Sequence, residues 1–324
     1  MTDHYNMGSY NTSDNGSYIS PEDLLISRMV NDITSYEMEM TEAVNMRMMP
    51  KLTERLTFRT HSSKYILPMM NKEGGGVESQ TIEFFTADHQ LTKWSSGVRA
   101  TYEASLTMDR EQQIMQSVQA CGEGFARFKD VEILSSLIGG AGISEDASAE
   151  WDSSSADIPG DLGGLLTAVF QQEDCDIKTR DVRGMLLYYP MKLMPILNDP
   201  VKILTSTSTS MGVTKQQQET DQVWAENAYG FQWRPIKDLN YVGKLIAVIP
   251  SKTTADHVTL QSPRIPEVAY LRDERHQIEE WINHRYFGTF VYPSSEDSEG
   301  KSYKIMVLND VCDVTPYPAI ATIN

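Results

Sequence analysis

Apolar side chains at Ile114, Val118, Cys121, Phe125 and Phe128 recur at alternating intervals of four and three, and Val131, Leu134 and Ile138 continue the stripe. The spacing predicts an amphipathic helix over 109–138, about eight turns and roughly 45 Å long. Val98–Leu106 in front of it is strand-like, and Gly139-Gly140-Ala141-Gly142 behind it is a helix stop. Gly122 and Gly124 inside the stripe each cost about 1 kcal/mol of helix propensity relative to alanine, so they mark a bend or a close helix contact.

A second pattern of threes and fours, Leu25, Met29, Ile33, Tyr36, Met40, Val44 and Met48, predicts a helix that starts at Ser20-Pro21-Glu22-Asp23 and ends at Pro50. Met38, Met40, Met46, Met48 and Met49 give it a polarisable surface, suited to core packing or to a subunit interface that repacks. Residues 1–18 are polar and read as a disordered or partner-ordered tail. Leu52–Met70 and Val77–Phe85 flank Asn71-Lys72-Glu73-Gly74-Gly75-Gly76, the pattern of a long two-stranded excursion with a glycine tip. Such a hairpin is marginal alone, so its apolar residues are expected to cover a neighbouring subunit.

Downstream, 139–160 reads as a linker and Leu162–Phe170 as a short helix. Met185–Tyr189 is a continuous apolar run, the mark of a buried strand, and Tyr241–Pro250 reads as another buried strand after a turn. Pro190 turns the first into a short helix over 191–197. A loop is expected at 205–212, a polar helix at Lys215–Ala228, and imperfect alternation over Thr254–Arg275. Ile278–Trp281 passes into Tyr286–Tyr292, and Tyr303–Leu308 is a closing strand.

Composition changes this picture little. The 324 residues suffice for two or more domains, and no run of eighteen apolar residues predicts a membrane span. The first residues carry neither a basic head nor an apolar run, so no secretory signal is expected. A net charge of −17 argues against a surface that grips nucleic acid, though not against a wall that encloses it. Cys121, Cys175 and Cys312 are too far apart for a metal-ligand spacing and odd in number, which points to a reducing compartment.

Candidate chemistry is thin. His276 and His284 lie eight apart beside Glu279 and Glu280, a spacing that puts both imidazoles on one face of a helix, with His61, His89 and His257 as distant further ligands. Asp273, Glu274, Glu279 and Glu280 offer acid–base pairs, but a run this charged is more simply a solvated face. No serine sits in a Gly-x-Ser-x-Gly setting, and Gly122-Glu123-Gly124 lies inside a helical stripe rather than a phosphate turn. Phe231-Gln232-Trp233-Arg234 and His284-Arg285-Tyr286-Phe287 suit a core or an interface better than base stacking. No catalytic, cofactor-binding or metal-binding residue is assigned, and the chain is expected not to be an enzyme.

The order of arm, excursion, strand, long helix and mixed domain resembles the major capsid proteins of tailed bacteriophages and related viruses, a shell-forming fold shared with encapsulin nanocompartments. The residues that carry the resemblance are Thr107-Met108-Asp109 at the helix start and Lys129-Asp130-Val131-Glu132-Ile133-Leu134 near its end. Leu187-Tyr188-Tyr189-Pro190 before a helix, and Leu239-Asn240-Tyr241-Val242-Gly243-Lys244 before a strand, add to it. The resemblance implies an α+β tailed-phage major capsid fold: an N-terminal arm at 1–50, an extended hairpin loop at 51–98, and a peripheral domain with the spine helix at 99–198. An axial domain follows at 199–270, and 271–324 return to the peripheral domain.

It also implies self-assembly of pentamers and hexamers into an icosahedral head around double-stranded DNA, without sequence-specific binding, cofactor or membrane. Assembly in the host cytoplasm, and scaffold, portal or decoration proteins as partners, belong to the same expectation. No long polar coiled segment precedes the first helix, so the resemblance is to a member with a separate scaffold or none. Some members join a loop lysine to a neighbour's asparagine with help from a glutamate. Lys72 and Asn309 have suitable identities, but nothing in the sequence brings them together. The alternatives are an encapsulin-type compartment around a cargo enzyme and an unrelated soluble enzyme working through His276 and His284.

Overall fold

A computed structural model describes residues 10–12, 17–19, 21–49, 56–61, 84–89, 91–101, 110–153, 156–172, 177, 179–197, 202–206, 215–219, 230–251, 254–260, 268–273, 278–294 and 300–314. In chain order its main elements are β1 (Tyr10–Thr12), β2 (Ser17–Ile19), α1 (Pro21–Glu37), β3 (Asn45–Met49), β4 (Leu56–His61), β5 (Phe84–His89), β6 (Thr92–Thr101) and α2 (Arg110–Gly139). There follow β7 (Ala141–Asp146), α3 (Ile158–Phe170), β8 (Leu186–Pro190), β9 (Lys202–Ser206), β10 (Lys215–Glu219), β11 (Gln232–Ile236) and β12 (Leu245–Val248). The last are β13 (Ala255–Leu260), β14 (Val268–Asp273), β15 (Ile278–Val291) and β16 (Ser302–Asn309).

The chain divides into two compact units, one of Met1–Thr57, Asp88–Ser135 and Asp256–Phe290, the other of Phe58–Ala87, Ser136–Ala255 and Val291–Asn324. In the first unit a sheet runs β14-β15-β13-β3, and β6 pairs antiparallel with β15 from Thr92 to Thr101. Trp281 and Phe287 of β15, with Val98 and Ala100 of β6, pack with Ile114, Val118, Cys121 and Phe125 of α2 and Ile26 and Val30 of α1. The first four positions of the expected stripe are therefore core-facing, but further along Phe128 is exposed and Val131 and Ile138 are half-buried, while Ala126, Ile133, Leu134 and Leu137 are the buried positions.

Gly122 serves a close helix contact. A Cβ there would lie 2.6 Å from Ile33 Cγ2, and Thr34 Oγ1 donates to the Gly122 carbonyl at 3.2 Å. Gly124 is exposed, with nothing near its Cα on the side a Cβ would occupy.

The helix expected to run to Pro50 stops at Glu37. The Asp130 carboxylate of α2 accepts the N–H groups of Glu39 and Met40, both at 3.0 Å, so these donors leave the helical ladder. Asn45–Met49 then forms a strand parallel to β13. Met38 and Met40 are buried, whereas Met46 and Met48 stand exposed.

The second unit is built on a sheet ordered β11-β8-β12-β16-β7. Its centre is made of β8 and β12, each buried along its whole length; of the strand expected over 241–250 only Leu245–Val248 forms, and Asp238–Tyr241 is a short 3-10 turn. Leu162, Leu165, Leu166 and Val169 of α3 join this core with Trp151 and Trp233. Asp157 caps α3 by accepting the Gly160 N–H, and Pro159 sits in its first turn. The expected linker at 139–160 thus holds a strand, β7, and the start of a helix. Gly140 and Gly142 allow close approach there: a Cβ on either would lie 2.7 Å from Val291 or from the Ser302 backbone. Gly139 and Gly140 are not among the positive-φ glycines, so this run is not a left-handed cap.

Two further expectations change. Lys215–Glu219 pairs antiparallel with Lys202–Ser206 instead of starting a helix, because cross-strand pairing outweighs the helix preference of Lys-Gln-Gln-Gln-Glu. Ile278–Val291 is one fourteen-residue strand. β4 and β5 pair as the two limbs of the expected excursion, whose glycine tip lies outside the described residues, as do 220–229. Of the tail expected at 1–18, Tyr10–Thr12 pairs antiparallel with Ser17–Ile19, and the rest lies outside the described residues.

Candidate functional site

Residues 278–291 form a strand rather than the helix expected to carry His276 and His284. Burial alternates along it: Trp281, Asn283, Arg285 and Phe287 point inward, while Glu280, Ile282, His284 and Tyr286 face the other way. His276 and Glu274 lie outside the described residues, and of Asp273, His61 and His89 only the backbone is described. His284 Nδ1 meets Ser95 Oγ at 2.7 Å across the β6–β15 pair, and burial with the nearby Lys93 and Arg285 charges lowers its pKa. Glu280 is 3.4 Å from Arg99, whereas Glu279 on the opposite side accepts from Tyr270 at 3.4 Å. The acid pair expected for proton transfer is thus split between two faces. Among the described residues no group of three His, Cys, Asp or Glu side chains is placed to hold a metal ion.

Asn309 does not stand free. Its amide donates to Ser144 Oγ at 3.0 Å and to Asp146 Oδ1 at 2.9 Å, and Lys72 lies outside the described residues. Phe231 and Trp233 are core residues, with Trp233 edge-on to Tyr189 at 5.6 Å.

What the structure does assemble is a buried polar cluster in the first unit, drawn from α2, β13 and β15. Thr289 donates its backbone N–H to Glu132 Oε1 at 2.9 Å and its hydroxyl to Glu132 Oε2 at 3.0 Å. His257 Nδ1 lies 2.9 Å from the same hydroxyl and 3.6 Å from Glu132 Oε2. With the Thr289 hydrogen committed to Glu132, Nδ1 is the protonated nitrogen of His257, and its buried Nε2 has no hydrogen-bond partner. Burial, helped by the Lys129 charge, pushes the imidazole down to about 3, so it is neutral. Burial also raises the Glu132 carboxyl, against the pull of the Thr289 bonds and Lys129. Lys129 reaches over the Phe287 ring, 5.3 Å from its centroid.

This cluster has an acid, a neutral imidazole, an ammonium and a threonine hydroxyl, but that hydroxyl's hydrogen is committed to Glu132 and His257 has no exposed face. Its chemistry is structural: it ties the helix to two strands. Sequence reasoning missed it because its members come from three separate segments, with Thr289 32 residues from His257 and 157 from Glu132. The only local signal was Lys129-Asp130-Val131-Glu132 within an otherwise apolar helix face.

No family model matches the chain, and no curated protein matches it in sequence. Solved structures do match in fold. The virus-like particle of Pyrococcus furiosus superposes with a TM-score of 0.55 at 11% identity, covering 89% of this chain and 99% of that one. The mature capsid of bacteriophage PhiM1 gives 0.55 at 10% identity over 87% and 88%, and the capsid of an empty GTA particle 0.56 at 9% over 84% and 89%. At these identities the likeness is one of fold, and it runs over most of each chain. The chain has a capsid-like α/β fold.

Proposed function

We propose that the chain is a self-assembling shell subunit, the major capsid protein of a tailed virus, whose icosahedral head of pentamers and hexamers encloses double-stranded DNA. The observation that carries this reading is the fold match to particle subunits over nearly the whole of both chains. In this reading residues 1–50 are the arm, 51–98 the extended loop, 99–198 with 271–324 the peripheral domain, and 199–270 the axial domain. The paired limbs β4 and β5 suit a loop that reaches a neighbour, and the β9–β10 pair suits a contact near a symmetry axis. Scaffold, portal or decoration proteins are the partners such a head requires.

The test is negative-stain microscopy of the purified full chain after size-exclusion chromatography. Closed shells, or rings of five and six, are the expected result. A discrete monomer or dimer across salt and protein concentration overturns the proposal. Nuclease-protected DNA inside the shells assigns the viral role, whereas a protein cargo assigns an encapsulin-type compartment.

A further inference from the structure

The Glu132–Thr289–His257 cluster occupies a particular place in the chain. The first unit ends at Ser135, resumes at Asp256 and ends again at Phe290. Glu132 stands three residues before the first of these points, His257 beside the second and Thr289 beside the third. Three segments of the first unit are thus tied to one another just before or after each passes to the second. The tie runs through one hydroxyl, which donates to Glu132 at 3.0 Å and accepts from His257 Nδ1 at 2.9 Å. The same turn of α2 carries Asp130, whose carboxylate holds the Glu39 and Met40 N–H groups.

The site is built for a neutral imidazole. His257 is fully buried, its Nε2 has no hydrogen-bond partner, and the Phe287 ring lies 5.6 Å from it between centroids. The groups that face it are Glu132 and Lys129 from α2 and Thr289 and Phe287 from β15. From β3, Met46 is its register partner, and the charged Arg47 is engaged with Asp256. Neighbouring residues of a strand point to opposite faces, so that ion pair lies away from the cluster. A proton added to Nε2 brings a donor that meets no acceptor, and a second cation near the Lys129 ammonium, which already acts on Glu132. A hydrated imidazole takes the same proton without either penalty.

We propose that the cluster is a proton-operated clamp: with His257 neutral it holds α2, β13 and β15 together where they leave the first unit, and acid opens it locally before either unit unfolds. The sign follows from linkage. The closed form is fully favoured above the ordinary 6.5 of an exposed imidazole and loses ground as pH falls toward the closed-state value of about 3. Within that window His257 multiplies the open population about ten-fold per pH unit. Glu132 works against it, because its carboxyl is raised in the closed form and takes up a proton there first. Local opening of this kind, short of global unfolding, exposes a contiguous group of amides. The clamp does not depend on the shell reading, and its failure leaves that reading standing.

The test is amide hydrogen exchange of the full chain as purified, read by mass spectrometry at pH 7.5 and 5 and corrected for the intrinsic pH dependence of exchange. Opening in peptides covering 129–135, 256–260 and 284–290 is expected to increase on acidification, while 245–248 and 305–308 in the sheet of the second unit keep their protection. The increase is expected to be about thirty-fold greater in the parent than in His257→Gln, which cannot take up the proton and keeps Glu132 as it is. Equal increases in parent and variant overturn the clamp. Where His257→Gln does not fold, the parent decides alone: no increase in the three peptides, or an equal increase in both sheets, overturns it. Thr289→Val removes the shared hydroxyl and is expected to raise exchange at 129–135 and 256–260 already at pH 7.5. Unchanged exchange there overturns the tie between the three segments.

Discussion

Gly122 and Gly124 sit two residues apart on one helix and answer substitution in opposite directions. At Gly124 an alanine meets nothing within 4 Å, so the gain in helix propensity stands alone and Gly124→Ala is expected to stabilise by about 1 kcal/mol. At Gly122 the same gain is outweighed by a Cβ 2.6 Å from Ile33 Cγ2, and forcing α1 away from α2 costs about 1–3 kcal/mol. Urea denaturation of the two variants under identical conditions checks the sign. His257 supplies the acid response of the same unit. Its folded pKa of about 3 lies below the ordinary 6.5, so its contribution is complete above pH 6.5 and is lost as pH falls toward 3. The slope from this one group is about 1.4 kcal/mol per pH unit. Glu132 acts in the opposite sense: its raised pKa means the folded state takes up a proton first, so its unfavourable burial is relieved as pH falls through that pKa. Stability measured from pH 7 to 4 is expected to fall less steeply in His257→Gln than in the parent, and more steeply in Glu132→Gln. Parallel profiles for parent and His257→Gln would show that the imidazole does not titrate with folding.

Among elements, α1 owes its end to a side chain ninety residues away. Asp130→Ala leaves the Glu39 and Met40 N–H groups without their acceptor, and is expected to cost about 2–4 kcal/mol, with faster hydrogen exchange confined to residues 38–44. Exchange unchanged in that turn would reassign its stability to the buried methionines. The same turn shows where sequence reading stops. Leu25 to Met48 keeps a helical spacing throughout, and nothing within those residues announces a distant carboxylate. By contrast α2, β8 and β12 were legible because each satisfies one simple rule, a single buried stripe or a run buried on both faces. β15 obeys a simple rule too, but its inward positions include Asn283 and Arg285, so the alternation is hidden from hydropathy. Arg285 is buried against the Ser27 carbonyl and hydroxyl, both at 3.3 Å, a partnership between residues 258 apart. The His257 cluster was unreadable for the same reason. The order of the elements was readable, and their long-range polar ties were not.

For the whole molecule, the acidic balance is expected to make the proposed assembly sensitive to salt. Copies carrying a net charge of −17 repel, so raising ionic strength from about 0.05 to 0.5 M is expected to lower the protein concentration needed to form particles, as followed by light scattering. Assembly that weakens with salt would instead mean that attraction between opposite charges dominates the contacts. Finally, the register that sets β3 beside β13 bears on how the chain is made. Asn45 pairs with Asp256, so 211 residues separate the partners (256 − 45). At ribosomal speeds of about 5–20 residues per second, β3 waits roughly 10–40 s for the strand that completes its place in the sheet. β3 therefore lacks its neighbour in the sheet during most of synthesis. In the proposed shell, nascent chains crowded on one messenger would then be kept from joining until each is nearly complete, and the order of translation itself would act as a timer for assembly.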